Sequence, residues 1–297
     1  MIISVEERKI IEQTLEYCDS GKTTMIDEVM LNPVTNYNDP KKLDDEINTL
    51  FRKFPIIVAH ISEISEPGAF ITHNDTGIPI LVTRNNDGKL KAFINVCRHR
   101  GARVELKECG KTRTFSCPYH SWTYGLDGVL KGVPGQSGFP DLDREQHGLK
   151  SVSVIEQGGI VYVQQEGDID PTHLTHALEH FSVDQQLFNQ QVLTDAANWK
   201  LLYETLMEGY HIKSLHRESF YPFGYDNVNV VETFGPHSRV VYPFQRIEQI
   251  RSTRAEDRRL NGLTTSVYML FPNASISVLS KHSNLVILEP VSPTQSQ

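Results

Sequence analysis

The pattern of apolar and polar positions begins with a helical segment. Ile10 and Leu15 belong to a set of apolar residues at helical spacing, and they follow Ser4 and Glu7, which match the two ends of a capping box. This pattern predicts a first helix. The polar, Asn- and Asp-rich stretch over residues 33–50 then predicts a connection rather than an element of the core.

From about residue 55 the pattern changes to short apolar runs separated by turn residues. Runs over 78–83 and 90–96 flank an Asp-Gly pair at 87–88, and a second Asp-Gly pair at 127–128 repeats the arrangement. Asp-Gly between apolar runs is typical of a β-hairpin. With a further apolar run over 159–163, the pattern predicts a β domain.

The second half of the chain mixes both patterns. Pro171 after Asp170 predicts the start of a helix that extends to about Phe188, and a second helix is predicted from near Ala196 to His211. Short β-prone runs follow at residues 229–231, 239–242, 266–270, 276–279 and 285–288.

Composition places the chain among globular proteins with room for two domains. It has 297 residues, of which 39% are hydrophobic and 22% charged, and its formal net charge of −8 argues against nucleic acid as a partner. No apolar run reaches the roughly 18–20 residues of a membrane span, and the first twenty residues lack the apolar stretch of a secretion signal. We therefore expect a cytoplasmic protein without a membrane partner, in which the four cysteines serve metal binding or packing rather than disulfides.

Two short motifs carry the candidate chemistry. In CRHRG, Cys97 and His99 are separated by one residue, and in CPYHSW, Cys117 and His120 are separated by two. Two thiolates and two imidazoles suit either a structural zinc or a two-iron cluster with one cysteine pair and one histidine pair. A zinc finger usually supplies both cysteines from one knuckle and both histidines from a helix. The division into two hairpin loops therefore favours the cluster.

The flanking segments NVCRHRGA and CPYHSWTYGLDG resemble the signature of the α subunit of Rieske non-heme iron oxygenases, of the aromatic-ring-hydroxylating dioxygenase type. The resemblance implies a [2Fe-2S] cluster held by Cys97, His99, Cys117 and His120. It also implies an α+β fold with an all-β Rieske domain and a catalytic domain of helix-grip (START-like) type containing an antiparallel sheet. We expect an N-terminal helical segment over 1–49 that packs on the catalytic domain, a Rieske domain over 50–165 and the catalytic domain over 166–297.

A second metal site is expected in the segment from Asn198 to His216, which contains Glu208, His211 and His216. Two histidines and a carboxylate with open positions are typical of mononuclear ferrous sites. On an ideal helix the two histidines lie about 140° apart, so both reach one metal only if the helix is distorted or ends between them. Two helical histidines alone more often make hydrogen bonds than bind metal. The resemblance to the family therefore carries the assignment of Fe(II) to His211 and His216.

Glu208 is the candidate catalytic residue. The family usually has an aspartate here, which links an iron-site histidine to a cluster histidine of a neighbouring subunit. A subset that includes oxygenases of quaternary ammonium compounds has glutamate. The competing interpretation is an exposed helix carboxylate without a role in the reaction.

The third iron ligand of the family is an acidic residue more than a hundred positions after the second histidine, whereas 81 residues follow His216. We therefore expect the chain to lack the C-terminal part of its catalytic domain and the third ligand to lie beyond residue 297. Six acidic residues after His216 were considered, and none stands in a context that favours it as the ligand: Asp226, Glu232, Glu248, Glu256, Asp257 and Glu289.

The remaining candidates have simpler interpretations. His173, His176 and His180 recur at helical spacing and are interpreted as a solvated helix face. Cys18 and Cys109 have no partners at ligand spacing. The arginines beside the first motif either form a positive collar, which raises the cluster potential or docks an acidic electron donor, or serve solubility; they are Arg98, Arg100 and Arg103.

The expected function is hydroxylation of an organic, most readily an aromatic, substrate with O2 at non-heme iron. A ferredoxin or flavin reductase would supply electrons, and a homotrimer, with or without β subunits, would be the working assembly. One alternative is monooxygenation, with C–N cleavage, of a quaternary amine or a similar small polar molecule. The rival from another class is a non-catalytic Rieske electron carrier or a ligand-binding protein with a structural metal. A carrier would have no use for Glu208, His211 and His216.

Overall fold

The computed structural model describes residues 5–74, 76–174 and 185–297. The chain forms two compact units, a first unit of Met1–Asn38 with Ala197–Leu288 and a second unit of Asp39–Ala196 with Glu289–Gln297. The limits between units therefore fall at 38/39 and 196/197, and the last nine residues cluster with the second unit. The domain limits expected from the sequence, 49/50 and 165/166, stay a prediction.

Helices are short, and most of the regular structure is antiparallel sheet. The α-helices of the described residues are α1 (Val5–Ser20), α2 (Thr35–Asn38), α3 (Pro40–Glu46), α4 (Trp199–Thr205) and α5 (Ile212–Leu215). A π-helical turn follows α3 at Ile47–Phe51, and 3-10 helices lie at Ile61–Ile64, Gln136–Gly138, Pro171–His173, Gln245–Ser252 and Ala255–Asp257.

The strands, in chain order, are β1 (Ile56–His60), β2 (Ala69–His73), β3 (Ile80–Arg84), β4 (Leu90–Ile94), β5 (Cys109–Lys111), β6 (Thr114–Ser116), β7 (Thr123–Gly125), β8 (Leu130–Gly132), β9 (Ser151–Gln157), β10 (Ile160–Gln164), β11 (Val230–Phe234), β12 (His237–Pro243), β13 (Thr264–Leu270), β14 (Ala274–Val278), β15 (Ser283–Ile287), β16 (Pro290–Ser292) and β17 (Gln295–Ser296). The α+β class predicted from the sequence is confirmed.

The second unit contains a seven-stranded antiparallel sheet in the order β1-β10-β9-β4-β3-β2-β5 and a three-stranded sheet β6-β7-β8. Both predicted hairpins are present, joining β3 to β4 and β7 to β8. Gly88 and Gly128 have φ of 75° and 79°, a left-handed conformation that explains the Asp-Gly pairs. The core of this unit includes Phe93, Phe115 and Tyr124, together with the two motif cysteines.

The first unit contains the five-stranded antiparallel sheet β11-β12-β13-β14-β15, in which each strand pairs with the next along the chain. The predicted first helix is present as α1, although Ser4 of its capping box lies outside the described residues. Ile10 and Leu15 of α1 pack in one buried cluster with Val230 and Val241 of the sheet. The N-terminal helix is therefore anchored by the apolar face that the sequence pattern indicated.

The helix predicted over 170–188 is wrong where the structure describes it. Asp170 caps the turn at Pro171 by accepting the Thr172 N–H at 2.9 Å, but Leu174 is extended, with φ −83° and ψ 132°, and ends the turn. Residues 185–194 form neither helix nor strand. His176 and His180 lie outside the described residues. For the His173 side chain, the interpretation as part of a solvated helix face stays a prediction.

Candidate functional site

Two loops of the second unit carry the cysteine–histidine motifs, and they are closed by the same backbone contacts. Loop one (residues 95–105) follows β4, and loop two (residues 117–122) follows β6. The N–H of Cys97 donates to the carbonyl of Ala102 at 2.7 Å, and the N–H of Cys117 donates to the carbonyl of Trp122 at 2.9 Å. In each loop the cysteine is thus bonded to the residue five positions later, which folds the chain around the ligand positions.

A second closure follows in both loops at the fourth position after the cysteine. The N–H groups of Gly101 and Ser121 donate to the carbonyls of Cys97 and Cys117 at 3.0 and 2.9 Å. Both residues have positive φ, 76° for Gly101 and 58° for Ser121. Glycine adopts this conformation freely, whereas a serine there is strained.

The two thiols are buried side by side. Cys97 is 3% and Cys117 2% exposed, and neither forms a disulfide. Burial raises the pKa of the Cys117 thiol, and its hydrogen bond with Cys97 adds to the rise. Two adjacent buried sulfurs are a suitable pair of ligands for one iron, because a metal makes thiolates stable at neutral pH.

The two histidines form a second pair. The rings of His99 and His120 lie 4.7 Å apart between centroids. Nδ1 of His99 is buried without a hydrogen-bond partner among the described residues, and burial, together with the nearby His120, lowers the pKa of His99. A neutral imidazole with an unpartnered buried nitrogen is suited to a metal.

The two thiols and the two imidazoles lie as two pairs. Among residues 5–74, 76–174 and 185–297, no three Cys, His, Asp or Glu side chains converge as ligands of a single ion. A tetrahedral zinc needs four convergent ligands, whereas a two-iron cluster with mixed ligands needs two per iron. The donor set fits the cluster.

Aromatic side chains that sequence reasoning missed surround these ligands. The hydroxyl of Tyr124 lies 3.3 Å from Sγ of Cys97 and accepts the N–H of Arg98 at 3.0 Å. Burial, and then the Cys97 contact, raises the pKa of Tyr124, so the hydroxyl keeps its proton beside the sulfur. Trp122 stacks on His99 at 4.8 Å with an interplanar angle of 8°.

The candidate iron residues lie in the first unit, and the helix predicted from near Ala196 to His211 is present only as far as Thr205. α4 starts at its cap Asn198, whose Oδ1 accepts the Lys200 N–H at 3.0 Å, and it ends at Thr205. Gly209 lowers helix stability after that point. Oε2 of Glu208 accepts the N–H groups of Tyr210 and His211 at 2.5 and 3.2 Å, which replaces helical hydrogen bonds by a side-chain turn.

This break brings the histidines together. His211 immediately precedes α5 and His216 immediately follows it, and their ring centroids are 5.2 Å apart. Oε1 of Glu208 lies 2.5 Å from Nδ1 of His211. A carboxylate only accepts hydrogen bonds, so Nδ1 carries the proton and Nε2 is left for a metal. The glutamate is 48% exposed and the histidine 25%.

Two family profiles match the chain over these same regions. The profile described as Rieske [2Fe-2S] domain matches residues 54–156, and the one described as ring hydroxylating alpha subunit (catalytic domain) matches residues 183–297. The chain belongs to the Rieske oxygenase α-subunit family. Membership implies a Rieske [2Fe-2S] cluster and a mononuclear iron as cofactors.

Individual Rieske oxygenases are similar to this chain over part of their length. The glycine betaine monooxygenase oxygenase subunit of Pseudomonas aeruginosa strain UCBPP-PA14 is 36% identical over 63% of this chain and 44% of its own length. The anthranilate 1,2-dioxygenase large subunit of Acinetobacter baylyi is 30% identical over 61% of this chain and 41% of its own. The chain therefore spans less than half the length of these curated relatives.

The crystal structure of the quaternary ammonium Rieske monooxygenase CntA with an inhibitor superposes with a TM-score of 0.78, at 24% identity, over 90% of this chain and 73% of that chain. This likeness shows that the chain has the Rieske oxygenase fold. In the described part of this family member, no helix has the length and apolar character needed to cross a membrane.

Six of the acidic residues that follow His216 are engaged in ion pairs with other side chains. Each of the six pairs with a basic side chain: Asp226 with Lys213, Glu232 with Arg239, Glu248 with Arg251, Glu256 and Asp257 with Arg254, and Glu289 with His73. None of these six residues is assigned as a third iron ligand of this Rieske oxygenase chain.

Proposed function

We propose that this chain is the oxygenase component of a Rieske system, which uses electrons from a ferredoxin or flavin reductase and O2 to hydroxylate a small organic substrate. The contact between Glu208 and Nδ1 of His211, beside His216, carries the proposal. An electron carrier needs only the cluster, and a structural metal does not need a carboxylate that orients one of two half-buried histidines.

Each pair of cluster ligands has a stated task. Cys97 and Cys117 would hold one iron through buried sulfurs, and His99 and His120 would hold the other through their rings. The cluster supplies electrons one at a time at a potential above that of an all-cysteine cluster, because neutral imidazoles replace thiolates. The buried hydroxyl of Tyr124 stabilises charge on Sγ of Cys97.

At the second site, His211 and His216 would hold the mononuclear iron, which supplies O2 binding and activation when bound. Glu208 fixes the His211 ring by accepting the Nδ1 proton, and this orients Nε2. No residue of the described chain is assigned as the third ligand.

We further propose a homotrimer, with or without β subunits, in which Glu208 links two chains. Its carboxylate has acceptor capacity beyond the contacts with His211 and Tyr210, so a cluster histidine of a neighbouring chain could donate to it. A head-to-tail ring provides such heterologous contacts. The exposed residues Arg98, Arg100 and Arg103 are proposed to attract an acidic electron donor. The cytoplasmic location stays a prediction.

For the substrate, a quaternary ammonium compound is the first candidate and an aromatic carboxylate the second. Relatives of both kinds are similar to this chain, and the glycine betaine enzyme has the higher identity, 36% against 30%. The glutamate at position 208, where the family usually has aspartate, also favours the first class.

The test is turnover of the reconstituted protein with a donor reductase and O2. Oxidation of an N-methyl group of glycine betaine would release formaldehyde and the tertiary amine, whereas anthranilate or benzoate would give hydroxylated products. Substrate-dependent product that disappears in His211→Ala, with the cluster retained, supports the proposal. A protein that accepts and passes on electrons but forms no product with either class contradicts it and leaves the carrier.

A further inference from the structure

The two cluster loops differ in how their ends are tied. Loop two lies between β6 and β7, which pair directly from Phe115 opposite Tyr124 to Ser116 opposite Thr123. Loop one has no such support, because β4 pairs with β3 and β9, and β5 pairs with β2. Something other than a strand ladder must hold the two ends of loop one together.

The side chain of Asn95 joins these two ends. Its Nδ2 donates to the carbonyl of Glu105 at 2.8 Å, and its Oδ1 accepts the N–H groups of Val104 and Glu105 at 3.2 and 3.0 Å. The backbone N–H of Asn95 donates to the carbonyl of Pro79 at 2.8 Å. One amide therefore replaces the inter-strand hydrogen bonds that close loop two.

Because this side chain is buried, its polar atoms need hydrogen-bond partners within the protein. Asn95 is fully buried and Val104 is 3% exposed. The loss of a buried partner leaves the remaining polar groups unsatisfied, and the carboxamide of asparagine offers an acceptor oxygen and an NH2 donor on one planar group. Aspartate keeps the shape and the acceptor but loses the Nδ2 donor, and leucine keeps only the approximate volume.

We infer that Asn95 is a positioning residue for the cluster, one that holds loop one closed so that Cys97 and His99 keep their places relative to loop two. The inference rests on the proposed cluster assignment. Cys97 lies two residues from Asn95, inside the closure, so a looser loop would move the ligands of loop one while those of loop two stay fixed.

Asn85 offers a matched control in the same unit. It is 6% exposed, and its Oδ1 accepts the N–H groups of Asp87 and Lys89 at 3.1 and 2.8 Å in the hairpin between β3 and β4. It lies at the opposite end of β4, a strand that spans roughly 16 Å. Substitutions there disturb a similar buried amide without contact with loop one.

The experiment compares Asn95→Asp and Asn95→Leu with Asn85→Asp and Asn85→Leu in the full chain. We expect both Asn95 variants to release iron to a chelator about 10- to 100-fold faster than the wild type. We also expect their electron paramagnetic signal to change. Both Asn85 variants should keep the wild-type signal and release rate. Denaturant midpoints are measured for the same variants, and they distinguish general destabilisation from the local effect. If Asn95→Leu does not fold, Asn95→Asp decides, since it keeps both accepted hydrogen bonds.

Release rates and spectra equal in the Asn95 and Asn85 variants would overturn the inference. A second readout needs no metal: in the apoprotein, the Val104 and Glu105 amides should exchange slowly in the wild type and quickly in Asn95→Leu. Unprotected amides in the wild type would likewise overturn the role of Asn95. A wild type with protected amides but no cluster after reconstitution would instead refute the proposed function.

Discussion

In the cluster loops, backbone hydrogen bonds enclose each ligand pair, whereas at the iron-site segment (residues 206–216) a side-chain carboxylate shapes the chain. Cys97 and Cys117 each sit inside two backbone closures and are almost fully buried. His211 and Glu208 are 25% and 48% exposed, and they are joined by the contact between Nδ1 of His211 and Oε1 of Glu208. The comparison teaches that the first site is built into the packing of its unit, while the second depends on one acidic residue.

The largest effect is expected from the most buried ligand pair. Cys117→Ser should abolish the cluster signal, because a serine hydroxyl does not replace the thiolate that iron requires. Cys109→Ser, an exposed cysteine on β5, is the matched control and should retain it. Iron and acid-labile sulfide assays together with visible spectra provide the measurement. A cluster signal retained in Cys117→Ser would show that the signal does not depend on the buried pair.

At the iron-site segment, His211→Ala should reduce turnover to background while leaving the cluster spectrum unchanged. Its ring is one of the two proposed protein ligands in the described chain, so its removal leaves His216 as the remaining one. The exposed His282 of the same unit is the control, and His282→Ala should behave as the wild type. A cluster lost in His211→Ala would contradict the independence of the two sites.

A smaller effect is expected at the orienting carboxylate. Glu208→Gln should lower turnover about 10- to 100-fold with both metals still bound, since the amide keeps the size but loses the charge and the acceptor-only character. Glu218→Gln, an exposed change nearby in the sequence, should have no effect. Iron loss in Glu208→Gln would identify Glu208 as a ligand, and unchanged turnover would identify it as a surface residue.

The hydroxyl beside Cys97 is expected to change the reduction potential of the cluster, but it is not expected to be needed for cluster assembly. Tyr124→Phe should lower the reduction potential by about 40 mV, the one-electron equivalent of a hydrogen bond of about 1 kcal/mol. Tyr162→Phe is the control, because the hydroxyl of Tyr162 is buried without a hydrogen-bond partner in the described chain. Equal potentials for all three proteins in a redox titration would remove the Tyr124 contribution.

The smallest effect is expected at the position with positive φ in each of the two cluster loops. Ser121→Gly should raise the free energy of unfolding by about 0.5–1 kcal/mol, because it relieves the positive φ of 58° that Gly101 adopts freely in loop one. Gly101→Ala should lower it by a comparable or larger amount. Chemical denaturation of the apoproteins measures both. Destabilisation by Ser121→Gly would contradict strain at this position.

The cluster site was largely predictable because its residues are local. The Asp-Gly pairs indicated the hairpins, and the two motifs placed each cysteine just after a strand, as observed for Cys97 and Cys117. Tyr124 and Asn95 were missed because their roles depend on contacts 27 and 10 residues away in the chain, which spacing does not reveal.

The iron-site segment was predicted in its residues but not in its backbone. Helix propensity from Ala196 onward favoured a continuous helix, but the Glu208 carboxylate binds the N–H groups of Tyr210 and His211 in place of helical carbonyls. Propensity sums do not include this competition. The break also allows His211 and His216 to approach each other, which their spacing on a continuous ideal helix would prevent.

The most direct test of the two-site account is metal analysis and electron paramagnetic resonance of the anaerobically reconstituted and reduced wild-type chain. The account predicts a red-brown protein with two irons and two sulfides in the cluster and the low-average-g signal of a histidine-ligated cluster. A colourless protein that binds one zinc and no sulfide after the same treatment would contradict it.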